Sequence, residues 1–183
     1  MDNKELESLI RDILDRNNFI NQKIDLDSVQ QMNKNVPVQD AFRIRVMSPP
    51  LQFSVDIVKP LPLKDFLFVV GRLQIAPEHL AIINKLDLEK RMDLFDEIRL
   101  ELTRKESNFK FVEGPEHSIS GVECMLSVFV SENKERLTQA LFRGMEDVNK
   151  SFFLVIVILQ RFLRKAGYST TDSNQSSGKS FYQ

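Results

Sequence analysis

The amino-acid sequence predicts an α+β fold in which helices pack on an antiparallel sheet of five strands. Five short segments carry the apolar side chains that strands favour, and in most of them apolar and polar residues alternate. Longer segments instead repeat apolar residues at helical spacing. The order along the chain is helix, three strands, a split helix, two strands and a helix, which favours a single sheet.

The first helix is predicted at the N-terminus. Asp2 is in position to act as its N-cap, and Glu5 completes a capping-box pattern three residues later. Apolar residues then form one helical stripe, which consists of Leu6, Leu9, Ile10, Ile13 and Leu14. The next segment, Asn21 to Asp40, is polar, and a short strand and an ordered loop both fit it.

Three strands are predicted next. Phe42 to Val46 and Leu51 to Ile57 alternate between apolar and polar residues, and Ser48-Pro49-Pro50 between them predicts a turn, so the two runs form a hairpin. Asp65 to Leu73 is apolar on both faces, which is typical of a central strand covered on both sides.

A split helix and two further strands follow. Pro77 suits the first turn of a short helix that ends near Asn84. Asp87 is placed to cap a second helix that runs to about Arg104. Its predicted apolar stripe consists of Leu88, Met92, Phe95, Ile98 and Leu102. The two strands are predicted at 108–112 and 119–130.

The closing helix is predicted from about Asn133 to about Lys165. Because Phe152 to Leu159 is apolar all round, both sides of the helix should be buried there. The tail from Gly167 is polar and is predicted to be disordered. Residues 1–166 are therefore predicted to form a single domain, followed by a tail over 167–183.

Composition and charge predict a cytoplasmic protein. The formal net charge is −1, so the chain as a whole has no strong attraction for nucleic acid or anionic lipid. A single cysteine, Cys124, fits a reducing compartment. The most apolar run, Phe152 to Leu159, is far shorter than the roughly 20 residues of a membrane span. We therefore expect no membrane association.

The element order resembles the type III secretion chaperone fold, also called the Tir-chaperone fold. Ile75 to His79, followed by Lys90-Arg91, Phe95 and Ile98 to Leu102, also resembles uncharacterised prokaryotic proteins with this chaperone-like fold. The resemblance implies a small cytosolic dimer that holds an extended segment of a client and performs no chemistry. The chain departs from those chaperones in its longer closing helix and its polar tail.

The sequence carries no residue pattern typical of catalysis, so the chain is expected not to be an enzyme. The sequence has no Gly-x-Ser-x-Gly motif and no glycine-rich phosphate loop. Cys124 falls on the apolar face of its strand, where a buried thiol is inert. Carboxylates between Asp93 and Glu101 alternate with basic residues, which is typical of a solvated helix face. No catalytic residue and no cofactor are predicted.

Metal binding is not predicted either. His79 and His117 are the two histidines, and both are expected at the surface. Glu113 and His117 have i, i+4 spacing, but Gly114-Pro115 between them prevents a helix, so the spacing carries no metal geometry.

Nucleic-acid binding has some basic residues in its favour, namely Arg43, Arg45, Lys59 and Arg72. The aromatic residues that alternate with them are the apolar set expected to face the core, and tryptophan, a usual base-stacking residue, is absent. A solvated strand face is therefore the better interpretation.

The best candidate site is the second face of the predicted sheet. If the helices pack on the face of Phe42, Ile44 and Val128, the opposite face carries a mixed apolar and basic patch. Its predicted partner-binding residues are Arg43, Arg45, Leu67, Val69, Met125 and Phe129. The closing helix or the Asn21–Asp40 segment could equally cover this face. A second candidate, for self-association, consists of Phe152, Phe153, Val155 and Ile158.

The leading hypothesis is a non-enzymatic protein-binding module, chaperone-like or adaptor-like, that binds a protein partner or itself as a homodimer. The alternative is a small-molecule or lipid binder with a pocket between the sheet and the C-terminal helix. A third hypothesis, an enzyme that uses scattered carboxylates, requires a buried acid with a raised pKa.

Overall fold

The structure is a computed structural model that describes residues 1–25, 40–47, 53–105, 108–114 and 118–167. The described residues form α1 (Asn3–Arg16), β1 (Ile20–Lys23), β2 (Asp40–Met47), β3 (Val55–Pro60), β4 (Phe66–Gln74), α2 (Pro77–Lys85), α3 (Leu88–Arg104), β5 (Asn108–Glu113), β6 (Ile119–Phe129) and α4 (Lys134–Lys165). The α+β prediction is confirmed. The prediction of five strands was wrong, because β1 begins at Ile20 and continues into the segment Asn21–Asp40, for which the sequence left a short strand and a loop open.

The six strands form one antiparallel sheet in the order β1-β2-β3-β4-β6-β5. Its register is visible in one row of side chains, in which Ile44 lies opposite Ile57 and Ile57 lies opposite Val69. Directly opposite residues point to the same side of a sheet. All three side chains are fully buried, so this row defines the first, buried face of the sheet.

Packing divides the chain into two compact units. Unit 1 consists of Met1–Gly71 and Met125–Asn149, and unit 2 consists of Arg72–Cys124 and the described residues from Lys150 onward. The predicted single domain over 1–166 stays a prediction. The predicted disordered tail lies, apart from Gly167, outside the described residues.

In unit 1, α1 covers the first face of the sheet. Its start is fixed by the predicted capping box, since Asp2 Oδ1 accepts hydrogen bonds of 2.8 Å from the backbone N–H groups of Lys4 and Glu5. Lys23 of β1, which lies opposite Ile44, forms a 2.9 Å ion pair with Glu7 of α1. The helix therefore lies on the side of the sheet that carries Ile44.

The first half of α4 packs on the same face. Asn133 caps this helix by accepting a 3.0 Å hydrogen bond from the backbone N–H of Arg136. A Cβ atom at Gly144 would lie 3.2 Å from Cγ2 of Val69 and 3.3 Å from Cγ2 of Val128. The helix backbone is thus in close contact with two strands of the sheet.

In unit 2, α3 buries Leu94, Ile98 and Leu102. Phe95 packs edge-on against Phe111 of β5, with ring centroids 5.5 Å apart. Leu88 and Met92 of the predicted stripe are more than half exposed. Leu88 and Met92 lie at one edge of the predicted stripe. Because Leu94, on the other edge, is buried, the buried face of the helix is rotated away from them. Among the described residues, no helix combines the length and the apolarity that crossing a membrane requires.

Candidate functional site

The second face of the sheet, on the side away from α1, carries the candidate site. Arg45 lies opposite Asp56, which lies opposite Val70. In the next row, Arg43 lies opposite Val58, which lies opposite Phe68. Strand alternation places these side chains on the opposite side of the sheet from Ile44 and Ile57. On this side Arg45 is exposed, Phe68 and Val70 are half-buried, and Val58 is buried. The sequence prediction that Arg43 and Arg45 share the second face is confirmed.

An exposed aromatic pair lies at the β4–β6 end of this face. The rings of Phe66 and Phe129 meet edge to face, with centroids 5.7 Å apart and planes at 82°. Phe66 is 41% exposed and Phe129 is 61% exposed. Met125 lies four residues before Phe129, on the same side of β6, and is 36% exposed. These three side chains, together with Arg43 and Arg45, are called the sheet patch below.

Ion pairs occupy the β2–β3 part of the face. Arg45 Nε bonds Asp56 Oδ1 at 3.0 Å, and Arg43 Nη1 lies 3.7 Å from Asp56 Oδ2. Arg43 Nη2 also bonds Asp40 Oδ2 at 2.9 Å. The hydrogen bond to Asp56 raises the pKa of Arg45 above its ordinary value. The two arginines are therefore held by carboxylates of the same unit and form a fixed polar border beside the apolar residues.

Asp40 joins this cluster because the β2–β3 pairing is irregular between Asp40 and Phe42. Simple alternation would place Asp40 on the buried face with Phe42, whereas the register shift places it opposite Pro60 and beside Arg43. Its side chain is only 5% exposed. Within the described chain, Asp40 Oδ1 and Arg43 Nε are buried without a hydrogen-bond partner.

Two residues predicted to belong to the patch lie elsewhere. Leu67 and Val69 are fully buried. Val69 lies opposite Ile57 and contacts the position of Gly144 in α4, so both residues point to the first face. The prediction was wrong because the run from Phe66 to Val70 is apolar on both sides and offers no alternation from which its facing could be deduced.

The predicted self-association residues divide between core and surface. Phe152, Val155 and Ile158 are buried, whereas Phe153 is 55% exposed. Three of the four are therefore core residues of α4. The expectation that the helix is buried all round at this point was wrong, because Phe153 and Val157, at i, i+4 spacing, form an exposed stripe.

Sequence reasoning missed an apolar pair at the β1–β2 edge of the second face. Ile20 lies opposite Met47, and the two side chains are 63% and 40% exposed. Met47 follows Arg43 and Arg45 in alternation, so its facing could have been deduced from the β2 pattern. Ile20 could not, because its strand was not predicted.

Two groups capable of nucleophilic or acid–base chemistry, the thiol of Cys124 and the imidazole of His79, are buried. Burial raises the pKa of the Cys124 thiol to about 12, and the nearby charge of Glu123 adds to this effect. His79 was expected at the surface but is buried in the first turn of α2, and burial lowers its pKa. His117 lies outside the described residues. The residues that the structure describes include no cluster of three potential metal ligands.

Lys59 was also expected on a solvated strand face, but its side chain is buried. It lies opposite Phe42 on the first face, and its Nζ donates hydrogen bonds to the backbone carbonyls of Leu63 and Pro60. Burial lowers the pKa of Lys59, while the charge of Asp65 opposes that change. The amine therefore closes the β3–β4 turn and contributes nothing to a basic surface.

Comparisons with known proteins place the chain among proteins without an assigned activity. A family model described as "Uncharacterized conserved protein (DUF2299)" matches residues 6–159. A search of curated proteins found no match. The crystal structure of an uncharacterized protein from Methanothermobacter thermautotrophicus is similar, with a TM-score of 0.67 and 21% identity over 85% of this chain and 96% of that chain. At that identity the likeness concerns the fold alone.

Proposed function

Because the chain belongs to the family of uncharacterized conserved proteins DUF2299, whose description assigns no activity, we propose a function from the site itself: a non-enzymatic protein-binding module that binds through the sheet patch. The exposed Phe66–Phe129 pair carries this proposal. Contiguous exposed apolar side chains with a polar border are typical of protein-binding surfaces.

The composition of the sheet patch supports protein binding. Aromatic residues and methionine are enriched in the buried centres of interfaces, and arginine is the basic residue most common there. Met125 adds a flexible side chain that adapts to the shape of a partner. The ion pairs of Arg43 and Arg45 with Asp56 keep the border ordered before a partner arrives, which reduces the entropy lost on binding.

A chaperone-like or adaptor-like role fits this surface, since both roles need a binding face and no catalytic group. The chaperone-like part of the proposal rests on the resemblance to type III secretion chaperones alone. Neither the matched family nor the similar crystal structure is described as a chaperone. The alternative, a ligand pocket between the sheet and the closing helix, gains no support at Gly144, where the helix touches Val69 and Val128 without a gap.

Affinity capture from a lysate of the native host tests the proposal. The tagged chain should retain a protein that Phe129→Asp and Met125→Asp lose, because a charge on the patch opposes the burial of its apolar centre. Leu100→Asp is the matched control, since Leu100 is similarly exposed but lies on α3, outside both candidate sites. A captured set that is identical for all variants would contradict the proposal, as would the capture of no protein at all, the untagged copy of this chain from the host included.

A further inference from the structure

The second face of the sheet has apolar pairs at two opposite corners. Ile20 and Met47 lie at the β1–β2 corner, and Phe66 and Phe129 lie at the β4–β6 corner. Ile20 and Phe129 are four strand spacings apart, which is about 19 Å across the sheet. Three steps of two residues separate the rows along the strands, which adds about 20 Å in that direction. The corners are therefore comparably far apart in both directions.

The space between the corners is electrically balanced. Asp40, Arg43, Arg45 and Asp56 contribute two negative and two positive charges, and they bond one another within the chain. A strongly acidic or basic partner would find no net charge of opposite sign here. An identical surface brought face to face meets no net repulsion.

From this arrangement we propose that a second copy of this chain covers the face, with the Ile20–Met47 pair of each copy packed on the Phe66–Phe129 pair of the other. The inference rests on the proposed function and names the partner. A two-fold axis that exchanges the two corners makes both contacts at once, as an isologous interface requires. Because the corners are about equally distant across and along the strands, the two sheets cross at a steep angle, a known mode of sheet packing.

The exposed area is sufficient for such a dimer. Ile20, Met47, Phe66, Met125 and Phe129 together expose on the order of 450 Å² per copy, if each side chain has a full area of roughly 200 Å². A standard interface buries about 800 Å² per partner, of which somewhat more than half is apolar. The apolar part of that requirement is thus met by these five side chains. The charged border adds roughly 170 Å², because Arg45 and Arg43 are 48% and 25% exposed and the two carboxylates are nearly buried. The total is then near the lower limit of about 600 Å² per partner for stable interfaces.

Disulfide trapping between two variants, each with one introduced cysteine, tests the contact. Ile20→Cys and Phe129→Cys are mixed under mild oxidation and analysed by non-reducing electrophoresis. We expect the mixture to give several-fold more cross-linked dimer than either variant alone, because the proposed contact joins unlike corners. Cys124 is buried and does not compete. The two positions in one copy are far beyond the roughly 7 Å Cα separation that a disulfide tolerates, so the bond must join two molecules.

A mixture of Ser8→Cys with Phe129→Cys is the control and should show no enrichment, because Ser8 is exposed on α1, on the other side of the sheet. In parallel, sedimentation equilibrium should detect a dimer whose dissociation constant rises at least tenfold with Phe129→Asp, while thermal unfolding shows that the variant is folded. A chain that stays monomeric at high concentration overturns the proposal. So does a dimer without the mixed cross-link.

The outcome for the proposed function is separate. If the chain is monomeric but Phe129→Asp still abolishes capture of another protein, the binding module stands and the second copy is wrong. If the chain is monomeric and captures nothing, both proposals are wrong.

Discussion

The position that a Cβ atom of residue 121 would occupy lies 2.3 Å from the backbone carbonyl oxygen of Leu73. Gly121 is on β6 and Leu73 is on β4, and close by, the backbone N–H of Ile75 bonds the carbonyl of Ser120 at 2.9 Å. Any side chain at 121 would therefore separate the two strands where they pair.

Gly121→Ala should lower the free energy of unfolding by at least about 2 kcal/mol, because the methyl group meets backbone and not a flexible side chain. Chemical denaturation of the two proteins measures the difference. Ser127→Ala, at an exposed position of the same strand, should change it by less than about 0.5 kcal/mol. A similar small effect of Gly121→Ala would show that the strands have more room than the structure gives them.

Val155→Asp should unfold the chain or cost more than about 4 kcal/mol, since Val155 is fully buried and a charge there has no partner. Phe153→Asp, two residues earlier on the exposed side of α4, should stay within about 1 kcal/mol of the native chain. Thermal unfolding followed by circular dichroism compares the two. Equal losses would mean that both sides of the helix are buried, as the sequence alone suggested.

The stability of the chain should fall as the pH falls through about 6.5, the ordinary pKa of histidine. Burial lowers the pKa of His79 in the folded state, and the charge of Glu78 offsets this only in part. The unfolded chain then binds a proton at a pH where the folded chain resists it, which favours unfolding. Urea unfolding at several pH values measures the dependence.

His79→Gln serves as the comparison for this titration. It should unfold more nearly independently of pH between 7.5 and about 5.5, because glutamine does not titrate. The contribution of His117 is present in both proteins and cancels. A pH profile unchanged by the substitution would assign the dependence to other groups.

Cys124 should react with a thiol reagent only after unfolding. Its side chain is buried, and a pKa of about 12 leaves on the order of one thiol in ten thousand ionised at pH 8. Absorbance of the released chromophore should rise slowly in buffer and at once in denaturant. Rapid labelling of the folded chain would show that the strand opens readily around this residue.

Local sequence signals predicted local structure well. The Asp2–Glu5 capping box and the cap at Asp87 were both predicted from the sequence, because a cap depends on residues three positions apart. The split between α2 and α3 followed from the same signals. For the closing helix the sequence predicted a start near Asn133 but not the cap that Asn133 provides. The bounds of β5 and β6 also agree with those predicted from the apolar runs.

The sheet face on which a side chain lies and the pairing of the strands were harder to predict, since both depend on contacts between residues distant in sequence. β1 is exposed at three of its four residues and carries no apolar pattern, so only its pairing with β2 makes it a strand. Leu67 and Val69 were assigned to the wrong face because their run is apolar throughout. The shift that places Asp40 beside Arg43 has no sequence signal at all, because it arises from the pairing of β2 with β3.

Neither compact unit is a continuous piece of the chain. β4 and α4 begin in unit 1 and end in unit 2, and β6 does the reverse. A gene fragment with one start and one end therefore cannot encode either unit alone, and recombination that exchanged only one of them would have to cut three elements of secondary structure. A library that recombines this chain with a relative should therefore keep its breakpoints outside β4, β6 and α4.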